Sequence, residues 1–255
     1  MPLDLVTIPC RADNYAYIVH DAATDTTTVV DVPDAVPVLR ALDARGWKLS
    51  HILLTHHHND HIDGVAALAA ATGARVIGAA ADAHRLPPLT EAVAPGDTLH
   101  IGMESVAVID APGHTLGHVA YHFPDAGLLF TGDSLMAWGC GRLFEGTPAQ
   151  MHDTLTRLAA LPGDTLVCSG HEYTEANGRF ALSLEPDHPA LCARMDQVRA
   201  ARAAGHPTVP VTLALECATN PFLRAADPAL ARALGMDGAE PLAVFTEARA
   251  RKDRF

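Results

Sequence analysis

Apolar runs and helical periodicity alternate along the first two thirds of the chain. Short apolar runs rich in β-branched residues predict strands at residues 3–9, 15–20, 26–32 and 52–55. Helical spacing of apolar positions appears at residues 34–45 and 149–160. The alanine-rich run 62–81 predicts a helix, a turn and a short strand. A membrane span is implausible here because Asp63 and Arg75 lie inside the run. The pattern predicts an α+β chain built as a four-layer αββα sandwich.

The pattern changes after residue 172, where helical signals dominate. Helices that each start near a Pro or an Asp are predicted at residues 189–204, 227–234 and 241–252. We expect no strand in this part of the chain. The change places a domain boundary near residue 172, with a larger domain over residues 1–172 and a small helical domain over residues 173–255.

Four of the apolar stretches end in residues that bind metal ions. The first runs into the sequence Thr-His-His-His-Asn-Asp-His at residues 55–61. Side chains two apart in an extended segment share a face, so His56, His58 and Asp60 can converge on one ion. If a helix begins at Asp60, with this side chain as its N-cap, His61 turns toward a second ion.

Three further stretches repeat this arrangement, because a predicted strand delivers one candidate ligand just past its end. These strands, at residues 106–109, 128–130 and 166–168, lead to His114, Asp133 and His171. The full set of candidate metal ligands is His56, His58, Asp60, His61, His114, Asp133 and His171. Imidazoles and carboxylates without cysteine favour two divalent ions, with zinc ahead of iron or manganese, over a closed structural zinc site.

Other residues near these motifs have simpler interpretations. We interpret His57 as a structural neighbour, and His118 as either a packing residue or a hydrogen-bond partner behind a ligand. Asp31 follows a predicted strand and is the best candidate to orient a ligand imidazole from behind, although a turn carboxylate is an equal alternative. Ordinary surface or core roles are assigned to His20, His51, His84, His100, His152, His188 and His206.

Composition narrows the expected partners and compartment. The 255 residues carry a net charge of −12 with only 18 Lys and Arg, which argues against nucleic acid as a partner. Five cysteines without paired spacing fit reduced thiols, and the first residues show no signal-peptide pattern. We expect a cytoplasmic monomer with no membrane partner.

The candidate site favours hydrolysis of a thioester. Two cations bridged by Asp133 would lower the pKa of a water toward neutrality, and one of them would polarise the substrate carbonyl. A thiolate leaving group has a conjugate-acid pKa of about 8.5 and departs without a strong general acid, whereas an amide nitrogen needs protonation. No side-chain nucleophile is required.

The motifs resemble those of a known family. The spacing Thr-His-x-His-x-Asp-His, then Gly-His114, Gly-Asp133 and Gly-His171, resembles the metallo-β-lactamase superfamily. Four further segments are similar to glyoxalase II: residues 139–146, 170–174, 220–224 and 249–253. The resemblance covers nearly the whole chain, and it implies two mixed sheets between outer helices and a helical C-terminal domain over the metal cleft.

The resemblance also implies residue roles. One metal ion would be bound by His56, His58 and His114. The other would be bound by Asp60, His61 and His171, with Asp133 as the bridge, so Asp60 and Asp133 are assigned catalytic roles. Glutathione would be contacted by Arg142, Phe144, Tyr173, Arg249 and Lys252. The implied reaction converts S-(2-hydroxyacyl)glutathione, typically S-D-lactoylglutathione, to glutathione and D-lactate.

Each implied substrate contact has an alternative. Phe144 stands where some glyoxalase II members carry a tyrosine, so a hydroxyl hydrogen bond to the tripeptide would be missing. Tyr173 is alternatively a packing residue beside a ligand loop. The terminal cations, Arg249 and Lys252 among them, are alternatively a solvated helix end, where positive charge suits the helix dipole.

Three other functions are consistent with the metal motif. A sulfur dioxygenase of the same superfamily would bind a single iron and consume oxygen. A lactonase or β-lactamase would share the metal ligands but have no use for Arg142 and the terminal cations. A non-enzymatic metal-binding scaffold would show no turnover.

Overall fold

The computed structural model describes residues 3–255, and these residues form two compact units. The first unit runs to Ala111 and continues from Gly117 to Gly132. The second consists of Pro112–Leu116 and Asp133–Phe255. The division differs from the predicted boundary near residue 172, which stays a prediction.

The first unit contains a mixed six-stranded sheet in which spatial order follows chain order. Its strands are β1 (Asp4–Cys10), β2 (Asn14–Asp21), β3 (Thr26–Val30), β4 (Leu49–Leu53), β5 (Arg75–Ala79) and β6 (Glu91–Val93). Strands β1 to β3 pair antiparallel, whereas β3 to β6 pair parallel. Parallel neighbours need crossover connections, and helices provide the first two of them.

Three helices lie in these crossovers: α1 (Ala35–Asp43), α2 (Asn59–Ile62) and α3 (Val65–Thr72). Asp34 caps α1, because its side chain accepts a hydrogen bond from the backbone N–H of Val36. Apolar side chains of α1 and α3 join the buried core of the sheet, as Val38 and Leu68 show. The predicted cap at Asp60 is wrong: α2 begins at Asn59, and Asp60 lies inside its first turn.

Four more strands of the first unit pair antiparallel in chain order: β7 (Thr98–Ile101), β8 (Glu104–Asp110), β9 (Val119–Phe123) and β10 (Leu128–Gly132). Strand β10 is fully buried. This agrees with the continuous apolar run from which it was predicted. The chain leaves β10 at Gly132, directly before Asp133.

The second unit is mainly helical. Its elements are β11 (Leu135–Met136), β12 (Gly139–Cys140), α4 (Pro148–Ala159), β13 (Leu166–Ser169), α5 (Thr174–Leu184), α6 (Pro189–Ala203), β14 (Val211–Thr212), α7 (Leu213–Thr219), α8 (Pro228–Ala233) and α9 (Pro241–Arg254). Trp138 packs in an apolar cluster with side chains of α5 and α6. Within residues 3–255, none of the helices is both long and apolar enough to cross a membrane.

The expectation of no strand after residue 172 is wrong, because β14 pairs antiparallel with β13. Strand β14 has only two residues and directly follows a proline, so it lacks the alternating run from which a strand can be predicted. The helices α6, α8 and α9 lie within two residues of their predicted bounds. Helices α5 and α7 were not predicted.

Truncating Leu68 in α3 tests the core of the first unit. Leu68 is fully buried, so Leu68→Ala should lower the free energy of unfolding by about 2–5 kcal/mol through lost burial and a new cavity. Urea denaturation measures the change. The matched control is Val36→Ala in α1, where the side chain is half exposed and the expected change is below about 0.5 kcal/mol. Equal changes in the two variants would contradict this assignment of the core.

Candidate metal centre

The first unit holds four of the predicted ligands in one short segment after β4. His56 and His61 are buried, whereas His58 and Asp60 are partly exposed. The ring of His56 lies 4.7 Å from that of His58 and 4.2 Å from that of His61, measured between centroids. The structure therefore brings the three predicted imidazoles of this unit together.

Asp31 fixes this segment from behind. It follows β3 with a positive φ of 54°, a conformation that is strained for a residue other than glycine. Its carboxylate accepts hydrogen bonds from the backbone N–H of Thr55 at 2.9 Å and from the Thr55 hydroxyl at 2.8 Å. It also accepts one from Nδ1 of His61 at 2.8 Å. Asp31 therefore makes the predicted contact with an imidazole from behind, and the ligand role of that imidazole stays a prediction.

These bonds settle which imidazole nitrogen can bind a metal ion. Because Nδ1 of His61 donates to a carboxylate, its Nε2 carries the lone pair. The Thr55 hydroxyl already donates to Asp31, so at 3.0 Å it accepts from Nδ1 of His56. His56 therefore also presents Nε2 as the acceptor. One nitrogen of His56, one nitrogen of His61 and one carboxylate oxygen of Asp31 lie within 4.8 Å of one another.

Asp60 is held by a residue from β2. The side-chain amide of Asn14 donates to the carbonyl oxygen of Asp60 at 3.0 Å and to its carboxylate at 3.1 Å. The carboxylate is 3.8 Å from Nε2 of His61. This arrangement keeps Asp60 beside His61, although Asp60 does not cap the helix.

Asp82 is a supporting residue that sequence analysis missed. Its buried carboxylate lies 3.2 Å from Nδ1 of His57 and 2.5 Å from the guanidinium of Arg85. A Cβ at Gly117 would overlap this carboxylate, so glycine is required there. Asp82 fixes the ring of His57, which packs edge-on against the ring of His58 with centroids 4.9 Å apart, in agreement with the interpretation of His57 as a structural neighbour. No local spacing signal links residues 25 apart.

His118 packs against a predicted ligand. Its ring stacks on that of His56 with centroids 4.8 Å apart and planes 18° apart. Gly132 closes the same region, since a Cβ there would overlap the hydroxyl of Thr55 and Nε2 of His118. Close packing against Thr55 and His118, which both contact His56, thus explains the glycine of the Gly-Asp133 motif.

The second unit holds the other three predicted ligands, His114, Asp133 and His171, all of them buried. Nε2 of His114 is 3.5 Å from the Asp133 carboxylate, and Nε2 of His171 is 3.3 Å from the same oxygen. Nδ1 of His114 donates to the carbonyl oxygen of Arg142 at 2.7 Å, which leaves Nε2 as the acceptor.

The distances in this unit test whether the donors fit a metal ion. Two ligand atoms about 2.0–2.1 Å from one tetrahedral ion are about 3.3–3.4 Å apart. The two imidazole nitrogens lie at 3.3 and 3.5 Å from one oxygen of Asp133, close to this separation. A carboxylate flanked in this way by two imidazoles has the chemistry and spacing of a divalent metal site.

The backbone around His114 is fixed by the segment that follows residue 141. The N–H of Phe144 donates to the carbonyl oxygen of His114 at 3.2 Å, and that of Gly146 donates to Gly113 at 3.1 Å. A Cβ at Gly141 would overlap the carbonyl oxygen of Asp133 and Nδ1 of His114. Residues 141–146 thus form the support of this ligand.

The five predicted glutathione contacts all belong to the second unit. Phe144 is 61% exposed and meets the His114 ring edge-on, with centroids 5.3 Å apart. Tyr173 is 37% exposed and stacks on His171 with centroids 4.6 Å apart. Arg142 is exposed, with its guanidinium 3.8 Å from Asp253. Two aromatic rings and one cation are therefore accessible beside the predicted metal ligands of this unit.

Arg249 and Lys252 of α9 differ in their surroundings. Arg249 is buried and donates to the carbonyl oxygen of Cys140 at 3.0 Å and to Asp253 at 2.7 Å. The guanidinium therefore supports residues 139–142. Lys252 is partly exposed, with Nζ 5.3 Å from the ring centroids of both Phe180 and Phe255.

The environment of Lys252 lowers its pKa to about 8. Burial among these rings is the largest cause, and the cations Arg249 and Arg179 add to it. Asp253 and Cys140 act in the opposite direction. The ammonium group is mostly charged at pH 7, and it gains from an anionic partner.

Known proteins match both parts of the chain. Residues 14–171 match the model of the metallo-beta-lactamase superfamily, and residues 172–255 match the model described as hydroxyacylglutathione hydrolase C-terminus. A hydroxyacylglutathione hydrolase of Rhodobacter capsulatus is 71% identical over the full length of both chains. One from Jannaschia sp. (strain CCS1) is 63% identical over 98% of each.

Solved structures agree on the fold. The BLEG-1 B3 metallo-beta-lactamase matches with a TM-score of 0.68 at 22% identity, over 86% of this chain and 99% of that one. TTHA1623, solved in a di-iron-bound form, matches with a TM-score of 0.63 at 25% identity, over 86% and 100%. The predicted fold class and family are confirmed by these matches. The chain belongs to the hydroxyacylglutathione hydrolase family of the metallo-β-lactamase superfamily.

Proposed function

We propose that this chain hydrolyses S-(2-hydroxyacyl)glutathione, typically S-D-lactoylglutathione, to glutathione and D-lactate. The proposal rests on one agreement: the family model of the C-terminal region and the full-length relatives all carry the name hydroxyacylglutathione hydrolase. These relatives are 63–71% identical to the chain. The metallo-beta-lactamase BLEG-1 is only 22% identical and supports the fold alone. Thioester hydrolysis is therefore favoured over a sulfur dioxygenase, a lactonase or a β-lactamase.

Two divalent ions are proposed to occupy the centre. One would be bound by His56, His58 and His114, and the other by Asp60, His61 and His171, with Asp133 as the bridging ligand. The ions, when bound, would supply a nucleophilic water and polarise the thioester carbonyl. The imidazole and carboxylate donors support zinc, with iron or manganese as alternatives, and the di-iron form of TTHA1623 supports a count of two.

The chain's own residues orient the ligands and the substrate. Nδ1 of His61 donates to Asp31 and Nδ1 of His114 donates to the carbonyl oxygen of Arg142, which leaves Nε2 of both imidazoles as the atom that can face a metal ion. Asp60 and Asp133 contribute the negative charge that two cations require. The departing glutathione thiolate needs no proton donor, so no residue is assigned the role of general acid.

The helical segment 173–255 is proposed as the glutathione-binding domain, next to a catalytic domain over residues 1–172. The family models divide the chain at the same place, which supports the boundary. The tripeptide would be contacted by Arg142, Phe144, Tyr173 and Lys252. Arg249 would bind a carboxylate of glutathione directly, or would act indirectly by supporting residues 139–142. Only the side chain of Arg249 is buried among these.

A cytoplasmic location and a monomeric state are also proposed. Among the described residues, no two cysteines form a disulfide, which fits a reducing compartment. The strong net negative charge of −12 supports a small-molecule partner over nucleic acid.

Incubation with S-D-lactoylglutathione tests the activity. Loss of thioester absorbance and appearance of thiol, followed in one sample, should proceed in equal amounts. Oxygen consumption with release of sulfite from a glutathione persulfide, in place of thioester loss, would identify a dioxygenase. No turnover of either compound by the zinc-loaded or iron-loaded chain would reject both enzymes.

Asp133→Ala tests the proposed bridge. Removing the carboxylate shared by His114 and His171 leaves two cations without the charge between them, so one metal ion should be lost and turnover should fall by at least about 100-fold. Metal analysis of the purified variant and thioester hydrolysis provide the measurements. Asp133→Asn keeps the shape and should lose less. Full metal content with near-normal activity would refute the bridge.

Lys252→Ala tests the proposed glutathione clamp. A charge-assisted hydrogen bond is worth about 1.5–3 kcal/mol, so kcat/KM for the glutathione thioester should fall about 10- to 100-fold, mostly through KM. The lower end is expected because Lys252 is partly exposed. Arg251→Ala is the matched control, since that neighbour on α9 pairs with Glu247 and Leu234. An unchanged KM in Lys252→Ala would remove Lys252 from the site.

The pKa of Lys252 predicts a pH dependence of substrate binding. A lysine whose pKa is lowered to about 8 loses its charge as pH rises through that value, so kcat/KM for the glutathione thioester should fall above pH 8. Lys252→Arg keeps its charge and should move the fall to higher pH. A short thioester without the tripeptide gives the reference profile, and a Lys252→Arg profile identical to wild type would contradict the assignment.

A further inference from the structure

A short hairpin connects the proposed bridging ligand to the support of His114. Strands β11 and β12 pair Leu135 with Cys140 and Met136 with Gly139. The hairpin begins directly after Asp133 and ends directly before Arg142, whose carbonyl oxygen accepts from His114. We call residues 134–141 the ligand hairpin. Its geometry sets two metal ligands at once.

Side chains of the C-terminal helices hold the backbone carbonyls of this hairpin. The amide of Asn220, which ends α7, donates to Met136 at 3.1 Å and to Gly139 at 3.0 Å. The amide of Asn177 in α5 donates to Ala137 at 3.0 Å. Buried carbonyl groups need hydrogen-bond donors, and these side chains of the helices donate to carbonyl groups of the short hairpin.

Glu216 of α7 links these contacts into one network. It is fully buried, and one carboxylate oxygen accepts from the backbone N–H of Trp138 at 2.8 Å and from Asn220 at 2.9 Å. The other oxygen pairs with the buried guanidinium of Arg194 from α6. Arg194 also lies over the Trp138 ring, 4.4 Å from its centroid.

The hairpin turn needs this support because its conformation is unfavourable. Trp138 has a positive φ of 58°, which a bulky residue rarely adopts. Its ring packs against Gly178 of α5, where an added Cβ would overlap it. The N–H bond to Glu216 and the stacked guanidinium hold Trp138 in place. Without them, the turn would lose the hydrogen bond and the stacking that favour this conformation.

A buried ion pair is an inefficient way to gain stability alone, because desolvation offsets most of its attraction. Here the pair is joined to a strained turn between two proposed metal ligands. We propose that Glu216, together with Asn220 and Arg194, is a positioning group that sets the metal centre through the ligand hairpin. Glu216 acts through Trp138, Asp133 and Arg142, and contacts neither metal nor substrate. The inference rests on the proposed metal-binding function of Asp133 and His114.

Zinc titration of the full chain tests this role. Metal-depleted Glu216→Gln and wild type are titrated with zinc against a chromophoric chelator. Loss of a group hydrogen-bonded to a metal ligand typically weakens affinity about 10- to 100-fold, and we expect the lower end, about 10-fold, for Glu216→Gln because it acts one residue further from the ligands. The absorption spectrum of the cobalt-substituted variant should change as well, because the ligand arrangement around the ion changes.

Glu185→Gln is the matched control. Glu185 directly follows α5 and accepts a hydrogen bond from Arg224 at 2.5 Å, in a partly buried ion pair that lies outside the ligand hairpin. It should lower the urea midpoint as Glu216→Gln does, while zinc affinity and the cobalt spectrum stay those of wild type. Asn220→Ala, which retains the pair of Glu216 with Arg194, replaces Glu216→Gln if that variant does not fold.

Wild-type zinc affinity and an unchanged cobalt spectrum in the folded Glu216→Gln, or in Asn220→Ala when it takes that place, would overturn the inference. A weakening in Glu185→Gln equal to that in Glu216→Gln would also overturn it, because general destabilisation would then explain the effect. The zinc titration is independent of the reaction. Failure of the wild type to hydrolyse S-D-lactoylglutathione would reject the proposed substrate and leave this result unaffected.

Discussion

The predicted metal ligands of the first unit depend on the carboxylate of Asp31. This residue adopts a strained conformation at the end of β3, and its two oxygens accept hydrogen bonds from Thr55 and His61. The bonds hold the end of β4 and the start of α2 in one geometry. Because Thr55 in turn accepts from His56, one buried carboxylate determines the orientation of two imidazoles. The strain at Asp31 is offset by these bonds.

The predicted ligand His114 of the second unit is oriented in the same way, by a hydrogen bond from Nδ1 to a different acceptor. A backbone carbonyl, that of Arg142, takes the place of the carboxylate and orients His114. A backbone acceptor is only as rigid as its chain segment, and here the segment follows a hairpin held by helices far along the sequence. The helical region after residue 172 supplies none of the proposed metal ligands. We infer that its buried pair of Glu216 and Arg194 contributes by supporting this hairpin.

The sequence predicted those parts of the structure that leave a local pattern. Apolar runs that end in Gly-His or Gly-Asp placed His114, Asp133 and His171 at strand ends, and Asp31 was predicted because it occupies such a position itself. The cap at Asp60 was predicted wrongly, because its side chain is engaged by Asn14 from another strand. Strand β14 escaped prediction because two residues are too few to show alternation.

Long-range partners left no such pattern. Asp82 meets His57 across 25 positions, and Glu216 meets Trp138 across 78, so neither pairing has a periodicity in the sequence. Neither carboxylate stands out in its local sequence, and it is tertiary packing that buries both. Candidate ligands, and Asp31 beside them, can thus be proposed from strand ends, whereas supporting groups such as Asp82 and Glu216 require the fold.

The central claim is that two divalent ions act together in one thioester hydrolase. The most direct test is to titrate the metal-depleted chain with zinc and to measure bound zinc and S-D-lactoylglutathione hydrolysis in the same samples. We expect activity to keep rising until about two ions are bound per chain, because the seven proposed ligands, Asp133 among them as the bridge, would serve two cations. Full hydrolytic activity at one bound ion per chain would contradict this account.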